Sequence, residues 1–280
     1  WSSDVCSSDL VIQEALAYFE TRPEELSELG KLVFEKVKEE YALNKNVPAE
    51  RMQEYVKVLN QAHTDWLKAR AAQDFGLLEE TLTKVVAFQK EFIPYWQKEE
   101  KTPYDVLLNQ FEPGMTVEKL DQVFDQVKQG IQEIRTVLAE KGTPPRTDFL
   151  SRKMTKEQQR RFVIGVVEQL GYDFSKGRLD DTVHPFMTAL NRNDARITTR
   201  WEENNFSMAT FGVIHEAGHG MYEQNFDPKF DFTPLSEGAS MGIHESQSLF
   251  NEIIIGSNRA FWQKQYPFFQ ECAEGTFDDI

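Results

Sequence analysis

From residue 11 to residue 142 apolar side chains recur every three or four positions, the period of a helix with one buried face. Pro23, followed by Glu24 and Glu25, suits a first helical turn, after which Leu26, Leu29, Val33 and Val37 make one stripe. Pro48 opens a second segment that carries Met52, Tyr55, Val56, Leu59, Trp66 and Leu67. Asp74 suits the cap of a third, which runs through Leu78, Leu82, Val85 and Val86 towards Trp96 and breaks at Thr102, Pro103 and Tyr104. The cleanest period lies in residues 116–140, where Val117, Leu120, Phe124, Val127, Ile131, Ile134 and Leu138 alternate steps of three and four. Such a seam is expected to pack against another helix. Gly142, Pro144 and Pro145 end it.

A capping box, Thr155 to Gln158, opens a further helix that Gly171 stops. The texture then changes. Residues 172–202 are short, polar and turn-rich, with 182–186 and 197–201 as strand candidates and Asn191, Asn193 and Asp194 suited to the turn between them. Helical spacing returns at about 206. It breaks at Asp227-Pro228 and at 231–234, resumes over 235–255, and ends in an aromatic-rich helix at 257–274. The pattern predicts a mainly α protein in one domain over 11–280: helical over 11–170, a small sheet at about 172–202, and two further helices within about 206–255. No internal repeat or low-complexity tract interrupts it.

Composition narrows this picture. With 40% hydrophobic residues the chain can bury a sizeable core. A formal charge of −15 and a pI near 4.9 argue against nucleic acid or an anionic membrane as partner, and suit a cytoplasmic enzyme. No apolar run approaches the ~18 residues that would span a bilayer. The first ten residues show no periodicity. They back-translate to a string resembling the end of a common sequencing adapter, so they are expected to be a scar and are set aside. Only Cys272 then remains, so no internal disulfide is expected. The absent initiator Met and the ending at Asp279-Ile280 lead to the expectation of a fragment of a longer protein.

Candidate chemistry sits in residues 211–222, F-G-V-I-H-E-A-G-H-G-M-Y. His215 and His219 are four apart, so on a helix they project from one face, one turn above the other. That placement lets two imidazoles hold one metal ion, with Glu216 at the side of the face where it can reach a water on that ion. This is the H-E-x-x-H pattern of zinc peptidases. The plainer alternative is a helix with two surface histidines. Against it, the flanks Phe211, Val213, Ile214, Ala217 and Met221 are apolar, and three interior glycines each cost about 1 kcal/mol relative to Ala. A catalytic site of this kind needs a third protein ligand. Glu245, in His244-Glu245-Ser246-Gln247, offers one, 26 positions past His219.

Four motifs stand in order: His184-Pro185-Phe186, Asp194-x-Arg196-x-Thr198, the His215 to His219 pattern, and His244 to Gln247. In this set and order the chain resembles the M32 metallocarboxypeptidases. The resemblance implies a multi-helix, zincin-like metallopeptidase fold with a small β-sheet beside the active-site helix. It implies one Zn²⁺, or Co²⁺, per chain on His215, His219 and Glu245, with Glu216 as general base. It further implies peptide substrates with a free C-terminus and a homodimer. Two further family motifs, I-R-x-x-A-D and G-x-x-Q-D-x-H-W, are missing, so the chain is expected to hold the metal half of the site without the half that grips the substrate carboxylate. His184 and His244 are candidates for lining the cleft or supporting the ligands. Asp194 and Arg196 are expected to pair and fix the sheet, with Arg196 facing substrate carboxylate as the alternative. Arg192 and Arg200 are expected to be surface charges. Two other readings stay open: an H-E-x-x-H oligoendopeptidase, and a helical interaction protein or inactive fragment.

Overall fold

The computed structural model describes residues 10–280, so the adapter-like stretch lies, but for Leu10, outside the described residues. The chain divides into two compact units, residues 1–124 and 125–280. In the first, α1 (Leu10–Glu20), α2 (Glu28–Asn44), α3 (Ala49–Ala72), α4 (Gly76–Trp96) and α5 (Pro103–Phe111) follow one another. Helix α6 (Val117–Lys141) begins there and continues into the second unit. The core of the first unit gathers Val47, Phe88, Phe92, Ile93, Trp96 and Val106, with Tyr55 edge-on to Phe92.

Local chemistry moves two predicted boundaries. Pro23 starts only a 3₁₀ turn, Pro23–Glu25; the helix proper is capped by Ser27, whose hydroxyl accepts the Gly30 N–H at 3.0 Å. The expected break at Thr102 is a helix start. Thr102 Oγ1 accepts the Asp105 N–H, and buried Asp105 accepts the N–H groups of Thr102 and, at 2.7 Å, Val117. One carboxylate thereby fixes the first turns of α5 and α6 together. The seam on α6 forms as expected, but Phe124, Val127, Ile131, Ile134 and Leu138 are each more than half exposed. Periodicity dictates the helix and its apolar face; it says nothing of what covers that face.

In the second unit α7 (Lys156–Leu170) carries the capping box at Thr155 and Gln158 and ends at Gly171 with φ +114°, a backbone conformation favouring glycine. Three strands follow: β1 (Leu179–Asp181), β2 (Met187–Asn191) and β3 (Asp194–Thr199), in the order β1-β3-β2. β1 runs parallel to β3, with Leu179 opposite Ile197, and β2 runs antiparallel to it, with Met187 opposite Ile197. The predicted strand at 182–186 is instead the link from β1 to β2. Pro185 has no N–H to give a ladder, and the Phe186 N–H goes to the Thr198 hydroxyl. The Asn191 side chain accepts the Asn193 N–H, closing the hairpin turn.

Helix α8 (Phe206–Gln224) lies over this sheet. Its Val213, Ile214 and Ala217 are fully buried with Phe162, Val163, Val166 and Val167 of α7, Ile197 of β3, and Phe269 of α10 (Arg259–Ala273). Helix α9 (Met241–Leu249) starts later than the predicted 235, because Ser240 caps it by accepting the Ile243 N–H. It continues into a π-helical turn, Phe250–Gly256. No helix among the described residues is long and apolar enough to cross a membrane.

Gly218 is the point at which α8 and α9 meet. A Cβ there would stand 2.6 Å from Ser248 Cα and 2.7 Å from the Gln247 carbonyl oxygen, both backbone atoms that no rotamer change can move. Gly218→Ala gains about 1 kcal/mol of helix propensity but forces overpacking that costs ~1–3 kcal/mol. Urea unfolding is expected to show a net loss of stability, by up to roughly 2 kcal/mol; a gain of about 1 kcal/mol, the helix-propensity effect alone, would contradict the close approach.

Candidate metal centre

The two helices that meet at Gly218 run in opposite directions. Glu252 meets His215, Glu245 meets both His215 and His219, and His244 meets His219 and Glu223. On α8 the steps from 215 to 219 to 223 are single helical turns, so these three side chains stack on one face. On the α9 side Glu245 and Glu252 are two turns apart. The π-helical turn that follows Leu249 carries Glu252, at a kind of helix irregularity common at functional sites.

His219 Nε2 lies 3.3 Å from Glu245 Oε2, and His215 Nε2 lies 3.7 Å from Glu245 Oε1. One ligand atom from each of the three residues lies within 4.8 Å of the other two. A tetrahedral zinc with ligand bonds of ~2.0–2.1 Å needs its ligand atoms about 3.4 Å apart. The donor set therefore fits a divalent metal in type, number and spacing. The Glu245 side chain is 49% exposed, which leaves one side of the cluster open to solvent and substrate. Four-coordinate catalytic sites use such an opening for water.

The inner side is buried. Glu216 is only 7% exposed, and burial, reinforced by the charges of Glu245 and Glu252, pushes its carboxyl up to about 7; His215 and His184 oppose the shift. Burial also depresses His219 to about 4, helped by the neighbouring His244 and His215 imidazoles. Both directions follow from the same fact: burial disfavours the charged form, the carboxylate of Glu216 and the imidazolium of His219 alike.

The remaining candidates occupy different places. His184 sits on the β1–β2 link with Nδ1 2.8 Å from the Pro185 carbonyl oxygen, close enough for its charge to act on Glu216. Asp194 and Arg196 hold each other by two hydrogen bonds of 2.7 Å on β3. His244 is wedged between His219, 2.6 Å away, and Glu223, 2.9 Å away, and its ring stands edge-on to Tyr222. Arg192 is no plain surface charge. It is four-fifths buried and grips Asp231 at 2.8 Å, tying the β2–β3 turn to the loop after α8. Arg200 pairs with Glu202. Glu223 and Glu252 escaped the sequence reading, although each stands at helical spacing, four after His219 and seven after Glu245.

The carboxypeptidase Taq (M32) metallopeptidase family matches residues 3–280. Carboxypeptidase 1 of Bacillus subtilis (strain 168) is 45% identical over 269 residues, which are 96% of this chain and 54% of that protein. Thermostable carboxypeptidase 1 of Thermus thermophilus is 34% identical over 239 residues, 82% of this chain and 47% of that protein. Among solved structures, the M32 carboxypeptidase from Deinococcus radiodurans R1 superposes with a TM-score of 0.87 at 33% identity, over 98% of this chain and 55% of its own. The chain spans about half the length of the curated relatives it matches. With the ordered motifs, the helical fold and the clustered His, His and Glu side chains all pointing one way, this chain belongs to the M32 family of metallopeptidases.

Proposed function

We propose that the chain carries the metal-binding and proton-transfer groups of a metal-dependent carboxypeptidase that removes residues from the free C-terminus of peptides. The observation that carries this reading is the convergence of His215 Nε2, His219 Nε2 and Glu245 at metal-ligand spacing beside the buried Glu216. The curated relatives named above are carboxypeptidases. Zinc, with cobalt as the alternative, suits two imidazoles and one carboxylate. When bound, a divalent metal supplies a water acidic enough to ionise near neutral pH and an electrophile for the scissile carbonyl.

The chain's own residues divide the remaining work. Glu216 takes the water proton on its carboxylate and returns it to the leaving amine. A carboxyl poised near neutrality is suited to both directions of transfer. The β2 strand at the sheet edge, packed beside α8, offers backbone groups with which an extended peptide can pair. His184 lines the approach to Glu216. The acidic composition and the lone buried Cys272 among the described residues suit a cytoplasmic enzyme with no nucleic-acid or membrane partner, and the family resemblance alone suggests a homodimer.

Glu216→Gln is expected to retain one metal per chain while the hydrolysis rate falls about 10²-fold or more; metal loss in the variant would contradict the assigned role. A peptide amidated at its C-terminus is expected to be a much poorer substrate than the free acid. Equal rates, followed by chromatography of the products, would favour an endopeptidase. The raised pKa of Glu216 also has a consequence for the metal-free protein. The folded state prefers the protonated acid, so its contribution is fully present below pH ~4.5 and is lost as pH rises through about 7. Glu216→Gln escapes that loss. Relative to the parent, the metal-free variant is therefore expected to gain roughly 1–3 kcal/mol between pH 5 and pH 8 in urea unfolding. A pH-independent difference would contradict the burial argument.

A further inference from the structure

The two histidines present the same nitrogen to Glu245, and each has its other nitrogen engaged. His215 Nδ1 lies 2.8 Å from Glu252 Oε2. His219 Nδ1 lies 2.6 Å from His244 Nδ1, and His244 Nε2 lies 2.9 Å from Glu223 Oε1. We propose that Glu252 and the His244–Glu223 pair are two positioning arms that fix the tautomer and ring orientation of His215 and His219, holding both Nε2 lone pairs towards the metal. The proposal rests on the metal centre argued above.

Only one placement of protons satisfies the contacts to Glu252, His244 and Glu223 with neutral rings and ionised carboxylates; it leaves both Nε2 lone pairs facing the Glu245 carboxylate, at 3.7 and 3.3 Å, an arrangement that a cation between them would stabilise. His215 carries its proton on Nδ1 and donates it to Glu252. His219 carries its proton on Nδ1 and donates it to the Nδ1 lone pair of His244. His244 then carries its own proton on Nε2 and donates it to Glu223. With the opposite tautomer of His215, a lone pair would face the Glu252 carboxylate at 2.8 Å. With the opposite tautomer of His219, His244 would have to donate back to it, leaving a lone pair against Glu223 at 2.9 Å. Both alternatives set lone pair against lone pair at 2.8–2.9 Å, a separation too short to admit a bridging water. Metal-bound histidines commonly donate their second nitrogen to a carboxylate, and loss of that partner typically costs 10- to 100-fold in metal affinity.

The arms differ in construction, and the fold shows why each is held. Glu252 reaches His215 directly from the π-helical turn after α9. The other arm needs an extra ring because Glu223 lies on α8 itself, one turn beyond His219. That ring is clamped on its far side. A Cβ on Gly238 would stand 2.8 Å from His244 Cδ2, and Tyr222, whose hydroxyl accepts the Ala239 N–H at 3.2 Å, stands edge-on against it at 5.1 Å. Glu223 and His244 are both shielded, with side chains 13% and 16% exposed. A surface ion pair would not be enclosed in this way.

The test uses the chain of 280 residues labelled with ¹⁵N on its five histidines. In the metal-free parent at pH 8, long-range ¹H–¹⁵N correlation spectra are expected to show His215 and His219 as Nδ1–H tautomers and His244 as the Nε2–H tautomer. Zinc affinity, read by competition with a chromophoric chelator, is expected to fall 10- to 100-fold in Glu252→Ala and in Glu223→Ala. Glu252→Gln, which keeps an acceptor, is expected to recover part of the loss. Glu252→Ala is also expected to release His215 to a mixture of tautomers while His219 stays as in the parent, a local readout that general destabilisation would not give. Nε2–H tautomers in the parent would overturn the proposal without any variant having to fold. Parent-like zinc affinity in both alanine variants would overturn it too. A parent that binds no zinc at all would instead overturn the metal centre, and this assignment with it.

Discussion

The contact between Gly218 of α8 and the backbone at Gln247 and Ser248 of α9 is the constraint on which the site depends. A metal ion needs ligands from different parts of the chain at about 3.4 Å spacing. Two imidazoles one turn apart on α8 meet that requirement between themselves, but the carboxylate must come from another helix. Only a near-contact of backbones lets Glu245 reach both rings, at 3.3 and 3.7 Å. Glycine at 218 removes the one atom that would prevent it. The same antiparallel arrangement sets the pairings on either side: Glu252 against His215, and His244 against His219 and Glu223. Small shifts of α9 along α8 would disturb all of them at once.

The environment then separates carboxylates that are chemically alike. Glu245 is half exposed on the open side, where its carboxylate oxygens are accessible to a cation. Glu216, next to His215 on the same helix, is only 7% exposed, and burial pushes its carboxyl up to about 7. Glu223 and Glu252 are partly buried but each faces an imidazole, so each has a donor to satisfy it. The roles proposed for these carboxylates, ligand, proton carrier and positioning group, thus differ by burial and partner rather than by residue type.

Much of this was legible in the chain itself. The alternation of three and four in residues 117–138, the capping box at Thr155 and the H-E-x-x-H spacing are local patterns, and local patterns translate directly into helices and into one-sided placement of His215 and His219. What escaped depends on contacts across the chain. The strand expected at 182–186 is a link, because β3 pairs with Met187 onwards and Pro185 cannot contribute a donor. The late start of α9 follows from the Ser240 cap and from the packing of Gly238 against His244. Glu223 and Glu252 carry no motif of their own. Their role is visible only once α8 and α9 are laid antiparallel, although their spacing from His219 and Glu245 was available. The apolar face of α6 shows the converse: the helix was predictable, its exposure was not.

The central claim is that two imidazoles and one carboxylate of this chain hold a single metal ion through Nε2, Nε2 and oxygen. X-ray absorption fine structure at the zinc edge of the zinc-loaded protein tests it most directly. The account predicts a first shell of four or five nitrogen and oxygen atoms at ~2.0–2.1 Å, with the outer-shell scattering of two imidazole rings and no sulfur. A sulfur shell at ~2.3 Å, or a spectrum with no imidazole contribution, would contradict it.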